Sequence, residues 1–410
     1  MINKSDEFNS NKSSNFSVYF MFIVIFLIIT YLLLAYFMPM KTITGTTQEV
    51  KAPPTDLSTV VFPSYGQSAI GAVDYGILSS NGEQNSHAIA SIAKTILALS
   101  VMKEKPFKTG EQGETYTFTQ ADIDLYKANL AQNGSVVPIA LNEQLSEYQM
   151  LQALLVPSGD NIADTMAIWV FGSIENYLTY ANKMLGEMGL TKSRMGDASG
   201  LSPQTVSSAS DLVILGEYIM EEPVLADIVG QTQVTLPVLN TAKNYNTLLG
   251  INGVIGIKTG NTDEAGGCLL FAYKKNLDGK DITFVGIILG AGNRAVVLND
   301  TRKFIQNNPS ALGFTPAITK NQVVGSYKTI DGKTINAVAK DDVKVLTSKT
   351  NQISVESTLQ NVKKPIDKNT EVGTITIKSG GKTFTTQAIL ESKISKPAFW
   401  WRLLHSRSLF

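Results

Sequence analysis

From Ser17 to Met38 the chain runs 22 residues without a charge, rich in Phe, Ile, Leu and Tyr. As a helix that length crosses the hydrocarbon core of a bilayer, so the run divides the molecule before anything else is read. A secretory signal peptide is the competing reading, but its apolar region is shorter and ends at small residues. Here the segment ends Leu34-Ala35-Tyr36-Phe37-Met38-Pro39, without a small-x-small cleavage pattern. The expectation is an uncleaved anchor. Lys4 and Lys12 place residues 1–16 inside as a cytoplasmic tail, 17–38 as the transmembrane helix and the bulk of the chain outside the cytoplasm.

Charge says little about what that bulk does. Lysine plus arginine equals aspartate plus glutamate, 35 of each, so there is no basic field to suggest nucleic acid and no acidic excess to suggest disorder. Cys268 is the one cysteine, which excludes an intrachain disulfide and leaves a thiolate metal site without partners. Two histidines, His87 and His405, are poorly placed for a Ser-His-Asp triad and too few for a typical zinc hydrolase. Any general base is therefore sought outside imidazole, and no metal or cofactor is expected.

Residues 39–62 mix Thr, Pro, Lys and Gly with little periodicity and read as a linker. Ser68 to Leu78 reads as paired strands turning at Ser79-Ser80-Asn81-Gly82. A helix then carries Ala90-Ser91-Ile92-Ala93-Lys94. Residues three apart share a helix face, so the Lys94 amine can reach the Ser91 hydroxyl and, if kept neutral, take its proton. Ser100-Val101-Met102-Lys103 repeats the SxxK spacing in the same helix. Position favours Ser91, because a helix start offers free backbone N–H groups and a positive dipole end where an oxyanion would form. Helices come next near 121–132, 146–156, 162–171, 174–188 and 207–220, with Pro157-Ser158-Gly159-Asp160-Asn161 between the second and third of them. Val254 to Gly260, Gly267 to Lys274 and Ile282 to Gly290 read as an antiparallel meander. Beyond residue 313 the chain alternates in the manner of strands, with turns at Asp331-Gly332 and Gly380-Gly381.

SxxK at Ser91, a Ser-Gly-Asx element at Ser158 and Lys258-Thr259-Gly260 stand in order at intervals of 67 and 100 residues. In this the chain resembles the penicillin-binding, serine-type D-alanyl-D-alanine carboxypeptidases of low molecular mass. The likeness extends to Leu154-Leu155-Val156-Pro157, Asp197-Ala198-Ser199-Gly200-Leu201 and Thr262-Asp263-Glu264-Ala265-Gly266, over about residues 63–310. It implies a β-lactamase/transpeptidase-like α/β (α+β) fold, an antiparallel sheet flanked by helices with an all-helical subdomain, over residues 63–312. A small all-β domain over 313–392 and a tail over 393–410 complete the expected division. By this resemblance Ser91 attacks the penultimate D-alanine carbonyl of a peptidoglycan stem peptide while Lys94 takes its proton. Ser158 relays a proton to the leaving amine. Lys258 and Thr259 hold the terminal carboxylate, Gly260 lets the substrate approach the strand, and the N–H groups of Ser91 and Asn261 form the oxyanion hole. β-Lactams would acylate Ser91 as inhibitors.

One position departs from the family's pattern. Asp160 stands where an asparagine is usual, with Asn161 beside it. An ionised aspartate cannot donate to a substrate carbonyl. Either that contact is weakened, or Asn161 replaces it through a local shift, or Asp160 pairs with Lys94; a plain helix N-cap is the remaining alternative. Trp400 and Trp401 beside Arg402 and Arg407 suit an interfacial helix, which would give the lipid a second contact. A class A β-lactamase is the nearest rival but needs an ExxLN element, absent between the second and third motifs. A DD-transpeptidase differs by one acceptor, and a wall-binding scaffold silenced by Asp160 is the reading from another class.

Overall fold

The uncharged run forms α1 (Ser10–Phe37), whose side chains from Phe16 onward are nearly all exposed, as lipid-facing side chains would be. The computed structural model describes residues 10–37 and 39–405; the expected inside tail up to residue 9, Met38 and the last five residues lie outside these.

The segment after α1, expected as a linker, is instead tied into the fold. Ile43 and Val50 are buried, β1 (Gly45–Thr47) pairs with Gly325–Tyr327, and single bridges join Ile43 to Val362 and Val50 to Val355. The segment then runs along the later chain, Val61 donating to Asn308 at 2.7 Å. Its β-branched residues at irregular spacing do not read as a strand alone, and partners far along the chain satisfy them.

β2 (Gln67–Ala72) and β3 (Gly76–Asn81) form a hairpin that turns at Asp74, in a left-handed conformation at φ 71°, rather than after Leu78 as the sequence suggested. The helical lobe consists of α2 (Ala93–Glu104), α3 (Gln120–Ala131), α4 (Glu147–Leu155), α5 (Asp160–Phe171) and α6 (Ile174–Glu187). α4 starts with a capping box: Ser146 Oγ accepts from Gln149 N and Gln149 Oε1 accepts from Ser146 N, an arrangement worth about 1 kcal/mol. α7 (Ala209–Glu221) and α8 (Pro223–Val229) lead back to β4 (Val254–Thr262), β5 (Gly266–Leu277) and β6 (Lys280–Ala291). The sheet is antiparallel in the order β4-β5-β6-β2-β3, with α7 on one face and α9 (Arg294–Asn307) on the other. Buried on both sides, the middle strands carry apolar runs, Cys268 to Tyr273 in β5 and Phe284 to Leu289 in β6.

The C-terminal region contains β7 (Leu312–Ile318), β8 (Val323–Lys328), β9 (Thr334–Ala339), β10 (Val343–Ser348), β11 (Ser354–Leu359), β12 (Glu371–Ser379) and β13 (Lys382–Leu390). Six strands lie in the order β1-β8-β9-β13-β12-β11, and β7 pairs with β10. This region meets the catalytic sheet at β3, where Ile77 donates to Gly380 and Ser348 to the Leu78 carbonyl. The tail forms only a short helix, α10 (Phe399–Leu404). It packs on α1: Tyr31 donates to the Leu403 carbonyl, and Arg402 to the Tyr36 carbonyl while lying over the Tyr36 ring.

Candidate active site

Ser91 lies in the 3-10 turn Ala90–Ile92 that feeds α2. The turn is entered through Ala90 at φ 47°, a left-handed conformation costing on the order of 1 kcal/mol for a residue with a Cβ. Two glycines hold it there. A Cβ on Gly200 would collide with the Ala90 carbonyl, and one on Gly260 would sit 2.8 Å from the Ile89 oxygen. Gly260 thus presses the end of β4 against the serine turn, a structural task beyond the substrate approach anticipated for it. Asn261 comes next, exposed, at the same strand end.

One turn along α2, Lys94 is fully buried and donates to Ser91 Oγ at 2.9 Å, the Ser199 carbonyl at 2.9 Å and Asp160 Oδ1 at 2.5 Å. Those three acceptors satisfy all three N–H bonds of an ammonium. The second SxxK match dissolves: Ser100 is buried and spends its hydroxyl on the Ile96 carbonyl, while Lys103 faces solvent.

Ser158 joins α4 to α5 at φ 65°, again left-handed, which turns its hydroxyl to face β4. There it accepts from Lys258 Nζ at 2.9 Å; Lys258 also donates to the Thr259 carbonyl at 3.1 Å. Burial, then the nearby Lys94 charge, pushes the Lys258 ammonium well below the ordinary lysine range; Asp160 opposes this and Arg294 adds to it. Thr259 is buried beside it.

Of the alternatives at Asp160, the ion pair with Lys94 is the one that forms. Asp160 is the first residue of α5, with Gly159 at the cap, so its carboxylate is not an N-cap but does profit from the helix's positive end. Asn161 does not join the site. Its wholly buried side chain accepts from Val137 N and donates to the Val137 carbonyl, at 2.9 and 3.0 Å. That exchange uses the amide's oxygen and one of its donors and leaves it no path to a ligand.

Two contributors were not singled out by spacing. Asp197 accepts from Gly200 N and Leu201 N at 2.9 Å, from Ser199 Oγ at 2.8 Å and from Thr205 Oγ1 at 2.5 Å. These bonds fix the loop whose Ser199 carbonyl holds Lys94; the Asp-x-Ser-Gly pattern was visible without its task. Arg294, the first residue of α9, stacks on Tyr245 at 4.3 Å and brings a third positive charge within reach of Lys258. No local signal marks it.

A serine and a lysine one turn apart, facing a second serine–lysine pair where a helical lobe meets an antiparallel sheet, define the class of active-site serine enzymes that work by acylation. The chain belongs to the Peptidase S11 family, D-alanyl-D-alanine carboxypeptidases, which matches residues 69–292, and the penicillin-binding protein 5 C-terminal domain matches residues 315–394. The D-alanyl-D-alanine carboxypeptidase DacF of Bacillus subtilis is 26% identical over 278 residues, 65% of this chain and 70% of that one. Penicillin-binding protein 5 of Haemophilus influenzae superposes with a TM-score of 0.59 at 18% identity, covering 84% of this chain and 99% of the other. The Streptomyces K15 DD-transpeptidase superposes with a TM-score of 0.52 at 20% identity over 62% of this chain and 98% of its own.

Proposed function

We propose that this carboxypeptidase removes the terminal D-alanine from peptidoglycan stem peptides through an acyl-enzyme on Ser91. The observation that carries the assignment is the pair of contacts Lys94–Ser91 and Lys258–Ser158, each 2.9 Å, where the serine turn meets the end of β4. Lys258 and Thr259 hold the substrate's terminal carboxylate, and Arg294 supports them from the mouth. Lys94 gives a proton to Asp160, then takes the Ser91 proton as Oγ bonds to the penultimate carbonyl carbon. The oxygen's developing charge is met by the N–H groups of Ser91 and Asn261. Ser158 relays the proton that Lys94 took from Ser91 on to the departing amine and so keeps its own hydroxyl, the peptide C–N bond breaks and D-alanine leaves. Water then hydrolyses the ester and restores Ser91. A β-lactam enters by the same route and stays.

Asp160 acts in this scheme as proton partner of Lys94 rather than as donor to substrate, and Asn161 only braces the helix start. α1 spans the membrane once, uncleaved, with the catalytic lobe outside the cytoplasm, and α10 rests at the outer surface.

Mass spectrometry of diacetyl-Lys-D-Ala-D-Ala after digestion tests the proposal: loss of one alanine with the wild type and none with Ser91→Ala. Loss of alanine by both proteins would remove Ser91 from the chemistry. Adding an amine acceptor to the same digest shows whether acyl transfer competes with hydrolysis.

A further inference from the structure

Six lysines cluster where the chain emerges from α1. Lys41 lies just past α1, Lys363, Lys364 and Lys368 come after β11, and Lys393 and Lys396 precede α10. They are distant in sequence, but the antiparallel bridges Ile43–Val362 and Ile366–Ile394 bring the three segments side by side. Two residues on from the first bridge, the antiparallel sense sets Lys41 beside Lys364; two residues on from the second, it sets Lys364 beside Lys396. All six are exposed, and none has an ion-pair partner among the described residues. Over residues 39–45, 361–368 and 392–398 the one acid is Asp367. A solvated set of like charges repels itself and gains nothing for the fold.

Position supplies the explanation. Phe37 ends α1 and Ile43 is already in the β domain, so the chain between them spans roughly 20 Å at most even when extended. Lys396 is held closer still, because α10 begins three residues later and Arg402 grips the Tyr36 carbonyl at 2.9 Å. Arg402 is itself buried, with its Nε lacking an acceptor among the described residues, and Trp400 is exposed beside it.

We propose that these lysines form a collar that binds anionic phospholipid headgroups around α1 and seats the C-terminal domain flat on the outer surface of the membrane. The proposal rests on α1 spanning the bilayer. Each lysine near an anionic surface multiplies the attraction roughly fivefold, an effect that falls off within a Debye length. The positive-inside rule is unaffected, since it concerns charges adjacent to the span in sequence, and five of the six lysines arrive there only by folding.

The full-length protein in lipid nanodiscs tests this. Cys268 is wholly buried, so Ser392→Cys gives one labelling site in the collar for an environment-sensitive dye. Acrylamide quenching of that dye should fall by about threefold or more when phosphatidylglycerol replaces part of a phosphatidylcholine disc. Protection should vanish at about 0.5 M salt, where screening acts beyond ~4 Å. It should also vanish in K363E/K364E/K393E/K396E, and persist in K103E/K108E/K192E on the catalytic lobe. Quenching indifferent to lipid charge in a protein that stays in the disc overturns the collar. A protein that leaves discs of either composition overturns the spanning helix instead. Equal protection in neutral discs on adding inorganic polyphosphate overturns the assignment to lipid.

Discussion

The catalytic lobe and the C-terminal β domain bury very different things. In the former Lys94, Asp122, Glu147, Asp160, Asp211, Glu217 and Lys258 are all less than a tenth exposed. Among the described residues 313–392 no ionisable carboxylate or cation is buried to that degree; the buried polar side chains are the hydroxyls of residues such as Thr315, Thr347, Ser348 and Ser379, beside Tyr327, whose hydroxyl donates to the Gln360 carbonyl. Burying a charge costs several kcal/mol unless it is paired, a cost that the described residues of the β domain do not incur. The β domain is held by Val345, Ile375, Ile377 and their neighbours, while the catalytic lobe accepts strained backbone at Ala90 and Ser158 and a crowded set of charges. The difference sets a lobe that buries charge, at the site in Lys94, Asp160 and Lys258 and away from it in groups such as Asp122 and Glu147, apart from a domain held by apolar packing.

Two substitutions would break that division if it were wrong. Ser91→Ala should lower penicillin acylation at least about a thousandfold with thermal stability little changed, read by labelling with a fluorescent penicillin. Ile377→Ala should do the reverse. It empties a fully buried site and should cost roughly 2–5 kcal/mol of stability by denaturant unfolding, while acylation per folded molecule stays the same. A loss of acylation in Ile377→Ala at full folding would show the β domain shaping the cleft.

Most of the layout was legible in the sequence because local signals and tertiary demands agree. Six C-terminal strands show period-two alternation, and α4 starts where Ser146 and Gln149 spell a capping box. Acyl chemistry fixes the residue types of the three motifs, and their order and intervals were readable through the resemblance to the family. The features that escaped depend on distant partners. β1 is three residues long and exists only through β8, and Arg294 lies within electrostatic reach of a strand end well earlier in the chain. The partner of Asp160 needed the folded chain: four readings fit the sequence, and the Lys94 amine, the bonds of Asn161 to Val137 and the cap at Gly159 are visible only there.

That ion pair yields a smaller effect that sharpens the contrast. In the proposed scheme the carboxylate 2.5 Å away takes a proton from Lys94, which frees the amine to take the one on Ser91. Asp160→Asn keeps an acceptor for Lys94 but cannot receive that proton. Acylation at pH 7 should fall by about tenfold, equivalent to ~1.4 kcal/mol, measured as the rate of penicillin adduct formation. A rise of similar size would mean that the carboxylate serves only to hold the amine charged, and the relay proposed for it would be wrong.

The buried carboxylates outside the cleft give the last test. Burial pushes Glu147 up to about 7; bonding to Glu114 N and the Lys105 charge only partly offset it, and Oε1 has no partner among the described residues. In the unfolded chain this group titrates near 4.5. Between those values the folded state holds a proton that the unfolded state has lost, so stability falls as pH rises through that window. Glu147→Gln stays neutral throughout. It should therefore stabilise the protein at pH 8 by on the order of 1–2 kcal/mol and make no difference near pH 4, where both forms of the wild type are protonated. Thermal melts of the two proteins at both pH values measure this directly. Because Glu147 lies away from Ser91, acylation should be the same in both, leaving a buried charge in the catalytic lobe that serves neither the chemistry nor the fold's strength.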